Sequence, residues 1–428
     1  MKRLYNLVGA CLSAALLAAC GGGSGLSSST PTSVAPPLTP LLGAPGLSQS
    51  PRSQPAFGRS ASHRTKKNVQ IESVLYSFAG GSDGEEPQDD GLTDVGGMLY
   101  GTTFYGGSSD DGTVFKTTTS GTESVLYTFA GGSDGVHPVG SLLNVGGTLY
   151  GTTLSGGSSG CYSTGCGTVF KISTSGAYAQ VYTFSGGSDG GIPVGGLTKV
   201  GSTLYGTTSG GGANGNGTVF TIKCRLAGCT ESVLYSFAGG SDGASPQAAL
   251  SNVGGTLYGT TLAGGSSGEG TVFKITTSGT ESVLYSFAGG SDGENPQAAL
   301  SNVGGTLYGT TFAGGSSGDG TLFQITTSGA YAQLYSFSGY PHDGAFPYAG
   351  LTRVGGVLYG TTESGGASGY GTVFALLKKG PEFVLYSFAG GSDGESPRSG
   401  LTNVDGTLYG MTIGGGSSGE GTIFSLSL

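Results

Sequence analysis

Residues 249–287 read ALSNVGGTLYGTTLAGGSSGEGTVFKITTSGTESVLYSF, and this stretch decides the fold. It holds four short runs rich in β-branched and aromatic residues: Ala249–Val253, Thr256–Thr261, Thr271–Thr276 and Ser282–Phe287. Glycine-rich turns separate them, the pattern of consecutive antiparallel strands. The same runs recur along the chain. Tyr-Gly-Thr-Thr begins at Tyr100, Tyr150, Tyr205, Tyr258, Tyr308 and Tyr359, and Tyr409 opens the variant Tyr-Gly-Met-Thr. The intervals are 50, 55, 53, 50, 51 and 50 residues. Gly-Thr-x-Phe recurs in step, with Phe115, Phe170, Phe220, Phe273, Phe323, Phe374 and Phe424. Tyr-(Ser/Thr)-Phe does the same for Phe78, Phe129, Phe184, Phe237, Phe287, Phe337 and Phe388. A period of this length built from short strands predicts propeller blades.

One four-stranded sheet cannot bury both of its faces, but radial stacking against neighbouring sheets does so. With strands counted outward from the axis, the chain starts on a fourth strand, Glu72–Phe78, and ends on a third, Gly421–Leu428. Pairing these two completes the last blade and removes an open edge. The expectation is an all-β, seven-bladed β-propeller over residues 71–428, closed by strand 72–78. The Gly after each repeat tyrosine is expected to admit a side chain from the neighbouring blade.

Composition agrees. Gly (90) and Pro (16) make up about a quarter of the 428 residues, but 22 Tyr and 19 Phe exclude a disordered chain. Each Gly costs a helix about 1 kcal/mol relative to Ala, so a helical protein is excluded too. Residues 1–70 hold seven of the 17 Lys/Arg and no acid, leaving the rest 10 basic against 26 acidic residues, a formal charge of −16. Such a body repels nucleic acid, whose binding needs clustered cations.

The chain opens with Lys2 and Arg3 and an apolar run, Leu7 to Ala19, too short to span a bilayer. The run ends Leu17-Ala18-Ala19-Cys20, which resembles the lipobox of bacterial lipoproteins. That resemblance implies a signal peptide over 1–19, cleavage before Cys20, and lipid on its thiol and amine. With several acyl chains the anchor is firm. An ordinary secretory signal with an incidental cysteine is the alternative. Gly21 after the cysteine resembles lipoproteins sorted to the outer membrane, so the cell envelope is the expected location. Residues 20–70 are rich in Gly, Ser and Pro and read as a disordered tether.

The repeat as a whole resembles the GloVer-type, "choice-of-anchor" tandem-repeat proteins of bacteria. Leu257–Thr261, Gly264-Gly265, Gly270–Phe273 and Asp292–Pro296 carry the resemblance. It implies exported, surface-associated propellers with interchangeable anchors, and it carries no assigned activity or catalytic residues.

Chemical motifs are sparse. G-x-S-x-G occurs at Gly80–Gly84, Gly156–Gly160 and Gly264–Gly268, but in Gly/Ser loops without the strand–turn–helix that a nucleophile elbow needs. Gly210, Gly212 and Gly215 precede a strand rather than a helix, so no dinucleotide fingerprint is present. Asp-Gly recurs at Asp83, Asp134, Asp189, Asp242, Asp292, Asp343 and Asp393, which suits a turn-ordering carboxylate better than a metal ligand in every blade. Cys11 leaves with the signal and Cys20 is the expected lipid site, and the remaining four cysteines form two C-x4-C pairs within the two longest repeats. Local disulfides Cys161–Cys166 and Cys224–Cys229 are expected in an oxidising compartment, each adding at most about 2 kcal/mol.

Two loop clusters stand out. Around the sixth blade, Tyr340, His342, Asp343, Phe346, Tyr348, Glu363 and Tyr370 set aromatic rings beside polar groups, which suits stacking on a sugar or peptide. Repeat drift without function is the alternative. Around the first blade, Asp83, Glu85, Glu86, Asp89, Asp90, Asp110 and Asp111 gather carboxylates that calcium could bridge, or that are simply solvated. Three functions remain open: an envelope-anchored binding or scaffold module with a glycan or protein ligand, a glycan-active enzyme with carboxylates on the loop face, and a purely structural surface protein.

Overall fold

The computed structural model describes residues 72–428 apart from 89–90, 158–159, 162–163, 227 and 378–381. The expected signal peptide, Cys20 and the tether lie outside the described residues. Seven four-stranded antiparallel sheets form the ring of a seven-bladed β-propeller. The fourth blade shows the common plan: Ser251–Val253, Thr256–Thr261, Thr271–Thr276 and Glu281–Ser286, paired in that order. Edges move by one or two residues from the sequence expectation, and the first strand shortens to three residues. In the seventh blade the fourth strand is Glu72–Ser77, antiparallel to Thr422–Ser427. The two ends of the repeat region therefore meet as expected.

The core is not one cluster but seven, each lying between two blades. Phe78 of the seventh blade packs with Leu92, Leu99 and Phe115 of the first, and the same grouping repeats around the ring, as with Phe237 against Leu250, Leu257 and Phe273. Each seam holds an edge-to-face phenylalanine pair with centroids 5.0–5.3 Å apart, from Phe78–Phe115 through Phe388–Phe424. All fourteen rings are fully buried. Such pairs add about 0.5–1.5 kcal/mol beyond burial.

The repeat glycine serves this packing, though not as expected. A Cβ on Gly259 would lie 2.6 Å from Cζ of Phe273, its cross-strand partner in the same blade. The close approach is thus within a blade, and it lets the phenylalanine reach the preceding one, where it meets Phe237. The second Thr of Tyr-Gly-Thr-Thr has a structural partner as well. Thr261 Oγ1 lies 2.8 Å from Thr271 Oγ1, and all seven blades bury such a hydroxyl pair. Near the axis, hydroxyls of Thr93, Thr198, Ser251, Ser301, Thr352 and Thr402 each donate to a leucine carbonyl of the following blade, Thr402 to Leu92. Both expected disulfides are present, Cys161–Cys166 and Cys224–Cys229.

Because Phe78 and its strand complete the seventh blade, deleting 72–79 from the full chain is expected to cause aggregation or loss of cooperative melting. Removing 21–68 should leave the melting temperature within a few degrees. Phe78→Ala alone should cost about 3–5 kcal/mol in denaturant unfolding, and an unchanged midpoint would refute the closure.

Candidate functional site

Two sets of loops meet at one end of the blades. Backbone bridges join the loop before each first strand to the loop after each second strand, as in Glu85–Tyr105, Ala244–Ala263, Glu294–Ala313 and Glu395–Gly414. The Asp of each Asp-Gly is a structural element of this face. Asp292 accepts from the Tyr285 hydroxyl at 2.7 Å and from the Ala288 N–H at 2.8 Å. All seven repeats make the same tyrosine–aspartate contact.

Beyond the Asp-Gly lies a position at which sequence reading singled out only Glu86 and Phe346. Glu86, His137, Ile192, Ser245, Asn295, Phe346 and Ser396 all have positive φ, between 52° and 61°. Each N–H donates at 2.8–3.0 Å to a loop carbonyl of the preceding blade, so the conformation is held by the scaffold. Glycine would adopt it without strain, whereas other residues give up about 1 kcal/mol or more there. A chain with 90 glycines places none of them here. The visible signal was the residue before each loop proline, where seven otherwise matching repeats hold six different residue types.

The sixth-blade candidates divide into three groups. Asp343 is only 5% exposed and is engaged by Tyr335, Ser338 and Gly344, so it orders the loop. Phe346, Tyr348 and Glu363 come together through two residues absent from the sequence list, Phe312 and Arg398. The Phe346 ring stacks on Phe312 at 5.2 Å, and Tyr348 meets Phe312 edge-on at 6.2 Å. The Arg398 guanidinium lies 5.4 Å from the Tyr348 ring centroid, and its Nη2 donates to Glu363 Oε1 at 2.6 Å. Tyr340, His342 and Tyr370 stay exposed.

The first-blade acids are differently placed. Both oxygens of Asp83 are taken by Tyr76 and the Ala79 N–H, and Asp110 accepts from the Gly106 N–H. Burial, then the neighbouring Glu420 and Asp110, hold the Glu85 carboxyl above its ordinary range. Glu86 and Asp111 are also raised, chiefly by burial. Asp89 and Asp90 lie outside the described residues. Among the described residues no group of three or more His, Cys, Asp and Glu is arranged to hold a metal ion.

A second line of carboxyls follows the outer seams. Glu72, Glu123, Glu231 and Glu281 are pushed up to about 7 and Glu382 to about 8, in each case first by burial and next by the Asp-Gly aspartate of the loop that leads into the same blade. The other two seams carry Tyr178 and Tyr331, stacked on Tyr127 and Tyr285.

With this geometry in view, residues 53–267 and 250–428 match the model of the Gloeobacter/Verrucomicrobia repeat. The chain belongs to that family. No curated protein matches it. Among solved structures it is similar to an ancestral GH74 enzyme, at 11% identity and TM-score 0.55, over 81% of this chain and 48% of that one. It is also similar to a putative 6-phosphogluconolactonase from Bacteroides uniformis, at 16% identity and TM-score 0.48, over 73% and 88%. A computationally designed protein aligns at 12% identity and TM-score 0.47, over 81% and 98%. At these identities the likeness concerns the fold alone.

Two measurements probe this family member's loops and seams. The seam glutamates have folded values above their ordinary 4.5, so their contribution is complete below that pH and is lost as pH rises through 7 to 8. The melting temperature should fall between pH 5 and 8, and Glu281→Gln should flatten that slope. A melting temperature that rises across this range would contradict the assignment. Ile192→Gly, which relieves a positive φ, should leave stability unchanged or raise it by up to about 1 kcal/mol. A loss instead would mean that the side chain holds its seam.

Proposed function

We propose that this chain is an exported, lipid-anchored binding module that presents the loop face of its propeller to a ligand. The observation that carries the reading is the ring of seven positive-φ positions without a glycine. Their side chains are kept at the expense of backbone strain, and six residue types share no single packing task; strain of this kind clusters at ligand sites. The blades beneath repeat almost unchanged. Cys20, behind its lipobox, supplies the anchor, and residues 21–70 supply the reach to hold the ring away from the bilayer. The acidic body leaves nucleic acid outside the ligand range.

The test uses the full-length chain, in nonionic detergent, on glycan and peptide arrays. Capture on either array should be lost in Phe346→Ala/Arg398→Ala. It should survive Lys199→Ala/Arg353→Ala, which lie toward the opposite end of their first strands. Capture that ignores the loop-face pair would refute the ligand face. In bacteria, Cys20→Ser should abolish palmitate incorporation and release the chain from the membrane fraction.

A further inference from the structure

Carboxylates mark the loop face of the first, fourth, fifth and seventh blades, as at Glu85, Glu269, Glu294 and Glu395, whereas the sixth carries a group of aromatic rings. In most blades a residue of the loop between second and third strands packs over a glycine of the following loop. Asp111 covers Gly131, Asn216 covers Gly239, Glu269 covers Gly289, Asp319 covers Gly339 and Glu420 covers Gly80. At the seam between the sixth and seventh blades that residue is Tyr370, whose ring lies over Gly390. Tyr340 lies against Gly369, the residue before Tyr370. These two rings are 67% and 43% exposed, so they form an open aromatic surface. Toward the axis they give way to Phe346, Tyr348 and the Arg398–Glu363 pair.

We propose that this sector binds a neutral polysaccharide, with Tyr340 and Tyr370 as an outer stacking platform and Arg398 with Glu363 reading hydroxyls at the inner end. The proposal rests on the loop face being the ligand face. Charge narrows the ligand class. Arg398 is already paired with Glu363 and has Glu86 within electrostatic range, so an anion finds no free cation here. Residues 71–428, with 10 basic and 26 acidic side chains, repel it further. A cation would be drawn by the rings but would meet the Arg398 guanidinium. A neutral ligand with apolar faces and polar edges fits both constraints. A pyranose is such a group, since its C–H bonds face an aromatic ring while its hydroxyls point outward. A hydroxyl both donates and accepts, which matches a guanidinium beside a carboxylate. The Arg398 and Glu363 side chains each stay 17% exposed, which leaves part of the pair within reach of a ligand hydroxyl.

The experiment is affinity electrophoresis of the full-length chain in nonionic detergent. The gels contain hydroxyethyl cellulose, galactomannan or arabinoxylan, with polygalacturonate and heparin as charged comparators. At least one neutral polymer should retard the chain, and the charged ones should not. Tyr340→Ala/Tyr370→Ala should weaken that retardation by about tenfold or more while leaving the melting temperature unchanged, because both rings are exposed. Arg398→Lys, which keeps the charge but loses the planar fork, should weaken it as well. Retardation by charged polymers only, by none, or equally for the tyrosine variant would overturn the site. Loop-face capture of peptides with no neutral polymer bound would overturn the ligand class and leave the binding-module reading standing. Loss of all loop-face capture would remove both.

Discussion

The edge-to-face contact between a phenylalanine ending one blade and a phenylalanine in the third strand of the next is the interaction on which the structure depends. A blade of this sequence has little to bury by itself: its strands are short and its turns are glycine. The ring at the end of the fourth strand finds a large part of its apolar surroundings across the seam, as Phe287 does against Phe323. Seven such seams leave no blade independently stable, so the last seam must close for the others to hold. Closure falls to residues at opposite ends of the repeat region, where Val74 pairs with Phe424.

Polar groups are arranged around that contact so that none interrupts it. Serine and threonine hydroxyls join the first strands near the axis, and threonine pairs satisfy one another where the second and third strands end. Outside the phenylalanines, tyrosine hydroxyls meet the loop aspartates. The one departure from Tyr-Gly-Thr-Thr shows what each threonine does. The first threonine donates to a carbonyl of the following blade, as Thr207 does to Ala248; where Met411 replaces it, the Ser399 hydroxyl bonds within the same blade instead, accepting from the Met411 N–H and donating to its carbonyl. The second, Thr412, is retained and pairs with Thr422.

The candidate site was legible in part. Phe346, Tyr348, Glu363 and Tyr370 could be picked out because they break a repeat that is otherwise nearly constant. Asp343 was also picked out, but it follows the repeat and serves the loop. Arg398 and Phe312 escaped notice because each is unremarkable within its own repeat. Arg398 follows a loop proline as Gln247 and Gln297 do in other blades. Only the seam between blades brings it beneath Tyr348 and against Glu363.

Sequence alone determined the number of blades, the strands in each, the way the ends close and the two disulfides. Those features follow from local periodicity and from cysteines five residues apart, which need no knowledge of distant neighbours. The tertiary structure decided which blade the repeat glycine serves, where the loop backbone turns to positive φ, and which carboxyls are pushed toward neutrality. The last two depend on groups that lie in other strands and loops, brought together only when one blade is stacked on the next. Distance along the sequence says nothing of burial or of like charges across a seam, and those two effects set the chemistry of the loop face.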